Sequence, residues 1–308
     1  MLLSQISPRL SLKKITLNCQ LFSIMHILSH RGINLSQKEY FTESSCKAFT
    51  DQVTRGFGLE FDLQFTKDKK IAVLHDHNLA RLTEGKDIRK IKEIESSELW
   101  AMDFKGYRII SFGELLRTIQ ANKVNQSINA IHIKHAWQKK EYIELILAEL
   151  KHADLERFIF FDLKIDTARY IKMKNPTLKL APSVAHPYDI LRYNALAGNT
   201  LFSVKEAIKH RNIFDWAWLD EWNLSDANNK IKKLYTREIF LKFREAGFKI
   251  ALVSPELHAW LPNNLAEETH PDAKTKDRLN KRLCEIVDLA PDAICTDHPS
   301  LVKKIASS

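Results

Sequence analysis

Three short stretches in the first third of the chain gather side chains able to move protons and hold anions. Ser29-His30-Arg31-Gly32 puts an imidazole, a guanidinium and a glycine together. Arg31 can grip a phosphate through two parallel hydrogen bonds, and the glycine lets the backbone turn sharply. Glu60-Phe61-Asp62 spaces two carboxylates by two residues, so both leave the same face of a strand. Two converging carboxylates repel unless a cation lies between them, and oxygen donors of this kind suit Mg2+ or Ca2+. A salt bridge to Arg31 or Lys134 is the plainer alternative. The apolar run 71–74 then delivers His75-Asp76-His77. His75 titrates near neutrality and can give or take a proton; Asp76 can orient a neighbouring ring, and His77 reads as an exposed loop residue.

A fourth group, Ile131-His132-Ile133-Lys134, places His132 and Lys134 on one strand face. Lys134 can meet a phosphate. His132 is placed among the metal-ligand candidates through its neutral ring, with a substrate contact as the alternative; imidazole suits transition metals better than Ca2+.

Elements must bring these groups together. Strand-like runs fall at 25–29, 58–65, 128–133, 158–163, 178–183, 216–220, 249–254 and 293–296. Helical patterns fill the gaps at 42–55, 112–121, 140–152, 167–174, 203–210, 236–246 and 273–289, with a short tail helix at 301–306. Such alternation marks a parallel sheet covered by helices. Eight strand runs favour a closed (β/α)8 TIM barrel in a single domain over an open doubly wound sheet. In a barrel, the chemistry stands at the strand C-terminal ends, which is where the groups above fall. Residues 76–110 form a longer excursion with Leu99, Trp100, Phe104 and Tyr107, expected to fold over the barrel mouth.

The ordered set His30-Arg31-Gly32, Glu60-x-Asp62, Thr66-Lys67-Asp68 and His75-Asp76 with Arg81 and Thr83 resembles the glycerophosphodiester phosphodiesterase family. Thr296-Asp297-His298-Pro299 resembles that family's closing element on the last strand. The resemblance implies a (β/α)8 barrel and metal-dependent cleavage of a small phosphodiester substrate into an alcohol and glycerol 3-phosphate. It further implies His30 and His75 as the acid–base pair, Arg31 on the phosphate, and Glu60 and Asp62 on one divalent ion, Mg2+ or Ca2+. Two departures stand out. The family's Pro-Glu-Asn-Thr is replaced by Phe41-Thr42-Glu43-Ser44, where Thr42 can still cap the next helix. The family's Glu-x-Lys, whose Glu is a third metal ligand, is replaced by His132-x-Lys134. Asp220 or Glu256 can supply the missing carboxylate. Asp162, Glu221 and His258 also stand where they can reach the mouth, and Trp260 can wall a ring-shaped ligand. Trp216, Trp218 and Trp222 read as core packing.

The bulk numbers are consistent with this. A chain of 308 residues, 44% apolar, fits one large domain with a large core. A net charge of +9 suits anionic ligands, but the basic residues are interspersed with acidic ones, so no nucleic-acid stripe is expected. No run approaches the roughly 20 apolar residues of a membrane span. The four cysteines form no CxxC pair and suggest reduced thiols and a cytoplasmic location. Residues 1–24 carry Arg9, Lys13 and Lys14 without an acid and read as a leader before a domain of residues 25–308. Two rivals remain, a metal-independent phospholipase-C-like barrel and a barrel that binds a sugar phosphate or a partner without turnover.

Overall fold

The structure, a computed structural model, describes residues 25–38, 40–104, 106–222, 233–258 and 270–308. The expected leader 1–24 and Trp260 lie outside the described residues. Twelve strands are present among them. They are β1 (His26–His30), β2 (Gly58–Phe65), β3 (Ile71–Val73), β4 (Ile110–Ser111), β5 (Asn129–His132), β6 (Phe158–Phe161), β7 (Lys179–Leu180), β8 (Ser183–Val184), β9 (Leu201–Phe202), β10 (Trp216–Leu219), β11 (Lys249–Val253) and β12 (Ala293–Thr296). The helices are α1 (Cys46–Thr54), α2 (Ser96–Ala101), α3 (Phe112–Ala121), α4 (Lys140–Glu149), α5 (Ile165–Lys174), α6 (Pro187–Tyr193), α7 (Val204–Lys209), α8 (Arg237–Glu245), α9 (Lys276–Asp288) and α10 (Pro299–Ala306).

The sheet runs β7-β6-β5-β2-β1-β12-β11-β10-β8, all parallel, with β9 added beside β8. Its two arms meet in a single stretch of chain. β7 and β8 are halves of one strand split at Ala181-Pro182, because proline has no N–H to give the ladder. Ala181 N–H donates to Phe160 O at 2.8 Å on one side. On the other, Asp215 N–H donates to Leu180 O at 3.0 Å and Trp218 N–H to Pro182 O at 3.1 Å. The ring therefore closes through 179–184, and the eight predicted strands form a (β/α)8 barrel.

Alternation along the strands builds two apolar layers. Leu59, Phe61, Leu63 and Phe65 of β2 face the helices and join the main core with Phe49 of α1 and Phe112 and Leu115 of α3. The opposite faces fill the barrel interior, where Leu28, Ala130, Ile159, Phe161, Trp216, Trp218, Ala251, Val253 and Cys295 pack together. Trp216 and Trp218 are thus core residues, as expected. Each large apolar side chain buried in this way contributes roughly 1.5–3 kcal/mol relative to exposure.

One expectation is corrected. α1 begins four residues later than predicted, because Ser45, not Thr42, is its cap, accepting from Ala48 N–H at 3.1 Å. Ser45 has the extended backbone that an N-cap requires, at φ −85° and ψ 151°. The excursion 76–110 keeps a core of its own: Leu79, Ile91, Ile94, Leu99, Phe104 and Ile109 pack on Ala72 and Leu74. Its large apolar side chains are spent there, beside a ribbon in which β3 pairs antiparallel with the upper half of β2 and then with β4.

Gly58 opens β2 where the barrel floor is tightest. A Cβ there would lie 1.9 Å from Ile128 O and 2.6 Å from Leu28 Cδ2, and the carbonyl belongs to backbone that cannot rotate away. Gly58→Ala should therefore lower stability by roughly 1–3 kcal/mol through overpacking, measured as a lower urea midpoint with an unchanged slope. An unchanged midpoint would show that the floor is looser than these distances indicate.

Candidate active site

The parallel strands all point their C-terminal ends to one mouth, and their register brings the singled-out side chains together. His30 pairs with Glu60 across β1 and β2, and Asp62 pairs with His132 across β2 and β5. His75 arrives by a different route. β2 runs on past the barrel, reverses at residues 66–70, and returns as β3. Leu74 N–H donates to Asp62 O at 3.1 Å and Gln64 Nε2 to His75 O at 2.9 Å, which sets His75 beside Asp62.

Glu60, Asp62 and His132 offer ligand atoms that all lie within 4.8 Å of one another. Both carboxylates are buried, Glu60 at 4% and Asp62 at 2% exposure. Glu60 Oε2 and Asp62 Oδ2 have no hydrogen-bond partner. Buried carboxylate oxygens without a hydrogen bond, on residues whose ligand atoms converge, are what a divalent cation would satisfy, so this donor set fits a metal ion. The cluster contains neither Asp220 nor Glu256. Glu256 instead directs Oε1 to the Ser254 and Thr296 hydroxyls, both at 2.5 Å, and to Asp297 N–H at 3.0 Å.

The anticipated salt bridges also exist and fall on Asp62. Lys134 Nζ lies 3.1 Å from its Oδ1 and Arg31 Nε 3.4 Å from its Oδ2. Burial acts to raise the Asp62 carboxyl, but Lys134, His75 and His132 outweigh it and hold the group well below the usual range. Glu60 goes the other way: burial and the neighbouring Asp62 push it up. Of the pair, Glu60 is the one short of positive charge.

Each of the two expected proton carriers is backed by a carboxylate. His30 Nδ1 meets Asp297 Oδ1 at 2.8 Å, and its Nε2 lies 3.9 Å from Glu60 Oε2. His75 Nδ1 meets Asp76 Oδ1 at 2.7 Å, the orienting role anticipated for Asp76. Their basicities diverge. Burial and Arg31 press His30 down, yet Asp297 and Glu60 carry it above its ordinary value. Burial dominates at His75 and takes it down to about 4, so its ring is neutral at pH 7. His77 is exposed, as expected.

His132 sits between two carboxylates, with Nδ1 2.7 Å from Asp62 Oδ1 and Nε2 3.1 Å from Asp162 Oδ2. Burial opposes the charged ring, but the hydrogen bonds to Asp162 and Asp62 raise it to about 9. Asp162 therefore reaches the mouth, as expected.

Some contacts escaped the sequence. Glu43 bridges Arg31 Nη1, at 3.6 Å, and Arg81 Nη2, while Arg81 Nε holds Asp76 Oδ2 at 2.6 Å. Glu43 stands in the replaced tetrapeptide, four residues after Glu39, and nothing in its spacing marks it out from that neighbour. Asp297 as the partner of His30 follows only once β12 is known to lie beside β1. Glu221, expected at the mouth, belongs to a structural brace. It accepts from Leu234 N–H at 2.6 Å and Tyr235 N–H at 3.1 Å, and from Arg282 Nη2 at 2.8 Å.

Burial works to raise Glu221, but His270, Arg282 and those N–H groups take its carboxyl from 4.5 to about 2. A depressed carboxylate contributes stability that is complete above its ordinary value and is lost as pH falls toward the folded one. Glu221→Gln should cost roughly 3–5 kcal/mol near neutrality, since Arg282 loses its buried counter-charge. It should also flatten the fall in stability between about pH 4.5 and about pH 2. Urea titrations across that range read both effects, and parallel curves for the two proteins would remove Glu221 as a source of acid sensitivity.

Comparison with known proteins agrees with this architecture. The sequence model of the glycerophosphoryl diester phosphodiesterase family matches residues 30–301. A 99-residue stretch is 32% identical to Bacillus subtilis (strain 168) YhdW, whose name assigns it provisionally to the glycerophosphodiester phosphodiesterases. That stretch covers 32% of this chain and 38% of YhdW, so the matched part is little more than a third of that relative's length. Solved structures share the fold. A glycerophosphodiester phosphodiesterase from Agrobacterium tumefaciens str. C58 superposes with a TM-score of 0.61 at 17% identity, covering 92% of this chain and 100% of its own. One from Thermotoga maritima gives 0.59 at 21%, with 91% and 98% covered. An Oleispira antarctica phosphodiesterase in complex with the product sn-glycerol-3-phosphate gives 0.60 at 15%, with 92% and 97% covered.

Proposed function

The chain belongs to the glycerophosphoryl diester phosphodiesterase family, and we propose that it hydrolyses a glycerophosphodiester-type substrate by metal-assisted, two-histidine acid–base catalysis. The observation that carries this reading is the pairing of His30 with Asp297 and of His75 with Asp76 on either side of the Glu60–Asp62 pair. In both, a carboxylate takes Nδ1–H, which fixes the tautomer and leaves Nε2 for proton transfer. The glycerol 3-phosphate complex of the Oleispira antarctica protein supports a small phosphodiester as the substrate class.

Glu60, Asp62 and His132 would hold the divalent ion. Bound there, the ion supplies positive charge to a phosphate oxygen as negative charge builds on it. Arg31 and Lys134, both anchored on Asp62, contribute fixed positive charge to the same phosphate. One histidine removes a proton from the attacking hydroxyl, either water or a neighbouring alcohol of the substrate. The other protonates the departing alkoxide. Asp297 and Asp76 keep the two rings aimed throughout.

Replacing either His30 or His75 by Ala should lower kcat by roughly 10²–10⁴-fold while circular dichroism and the urea midpoint stay near those of the wild type. Activity within a few-fold of wild type in either variant, on a glycerophosphodiester that the parent turns over, ends the two-histidine reading. Chelation by EDTA should abolish turnover and added divalent ion should restore it. Full activity after chelation would instead favour the phospholipase-C-like mechanism, in which the cations already on Asp62 suffice.

A further inference from the structure

The position where family members are expected to place a third carboxylate carries His132, and the surroundings of that ring are built in detail. Its Nε2 lies 3.1 Å from Asp162 Oδ2. Asp162 is the first residue past β6 and stands in the left-handed region at φ 60°, which a non-glycine residue adopts only where its surroundings hold it. A carboxylate oxygen at that distance accepts from the ring, so Nε2 is the nitrogen that carries a hydrogen. The ring plane is fixed as well. Phe161 stacks on the imidazole with centroids 4.9 Å apart at 22°, and Trp218 stacks on Phe161 at 4.0 Å and 16°. What remains is Nδ1, which faces Asp62 Oδ1 at 2.7 Å and hence the space shared with Glu60.

We infer that Asp162 is a positioning residue that commits His132 to metal ligation through Nδ1, giving a two-carboxylate, one-imidazole site that prefers a first-row transition dication such as Mn2+ or Co2+ over Mg2+ and Ca2+. This rests on the reading of Glu60, Asp62 and His132 as the metal centre. A carboxylate that accepts the distal N–H of a ligating histidine fixes its tautomer and raises its basicity, and loss of such a partner typically weakens metal binding by roughly 10–100-fold. Neutral imidazole is a poor partner for Ca2+ and Mg2+, which favour all-oxygen shells, and a better one for first-row transition dications, whose affinity for such a donor rises from Mn2+ to Co2+. A metal ion takes the place of the Nδ1 proton, so that proton leaves to solvent as the ion binds. The stacked Phe161 and Trp218 keep the ring from turning away to offer the other nitrogen.

The test uses the full chain stripped with chelator and reloaded with single ions. Calorimetry should show Mn2+ binding at least about tenfold tighter than Mg2+ or Ca2+. Pulsed electron paramagnetic resonance of the Mn2+-loaded protein should show coupling to one 14N nucleus, and His132→Gln should remove it. His132→Glu should remove the coupling and bring Mg2+ and Ca2+ level with Mn2+. Asp162→Asn should keep Mg2+ affinity within a few-fold but weaken Mn2+ by roughly 10–100-fold. Circular dichroism screens the variants for folding, and the wild-type nitrogen coupling and ion preference decide the matter if any of them fails to fold. Mn2+ bound without nitrogen coupling, coupling that survives in His132→Gln, or Ca2+ and Mg2+ binding as tightly as Mn2+ overturns the inference. Those outcomes leave the metal-dependent phosphodiesterase reading standing. No binding of any divalent ion, with full activity after chelation, overturns both.

Discussion

Two carboxylates on one face of β2, both almost fully buried, set the terms for everything around them. Like charges about 4 Å apart repel by about 4 kcal/mol at the effective dielectric near a protein surface, and by more where solvent is excluded. Such a pair persists only when cations surround it. Arg31, Lys134 and His132 all converge on Asp62, and Glu60 is left with an unpaired oxygen. Most of the mouth can be described as the response to that charge. The first strand turns at Arg31 in a left-handed conformation, φ 52°, that carries its guanidinium back over Asp62. The third barrel strand ends in two basic side chains instead of an acid and a base. Glu43, Asp76 and Arg81 then form an outer shell of alternating charge that ties the first loop to the second.

The barrel makes this arrangement affordable. Closing the ring places β12 against β1, so Asp297 meets His30 although 266 positions of chain lie between them. Neighbouring parallel strands hold their ends at fixed spacing, and that spacing positions His30 and His132 without long flexible side chains, while His75 comes in on the antiparallel ribbon. Below the mouth, the interior column of Phe161, Trp218 and Trp216 excludes water from the floor of the site. Burial there depresses the basicity of His75 and raises Glu60, so packing and electrostatics are not separable at this site.

Much of this was legible in the sequence, for physical reasons that can be named. The barrel strands β2 and β12 and helix α3 coincide with their predicted ranges because each is a short apolar run bounded by turn or cap residues. The Glu60–Asp62 convergence follows from strand periodicity alone. What escaped depends on distance across the ring. The partnership of His30 with Asp297, the placing of Glu43 between two arginines and the trapping of His132 between Asp62 and Asp162 each require knowing which strands are neighbours. β9 and β4, of two residues each, are too short for any period to show. The fifth barrel strand was read as one run over 178–183, although Pro182 within it marks the point where the ladder breaks. At α1, Thr42 and Ser45 are both competent caps by chemistry, and Ser44, left-handed at φ 56° with its N–H on Arg31 O at 2.8 Å, prevents a helix from starting at Thr42.

The long second strand belongs to two sheets at once. Its first half is rungs of the ring and its second half is one rail of an antiparallel ribbon with a separate small core. Asp62 is the joint between the two halves. Leu74 N–H is bonded to that residue's carbonyl, so the ribbon is tied to the ring one residue before His75. His30 stands on the ring itself. One imidazole is thus held by the barrel and the other by the ribbon and its satellite core, with the carboxylate pair at the seam between them.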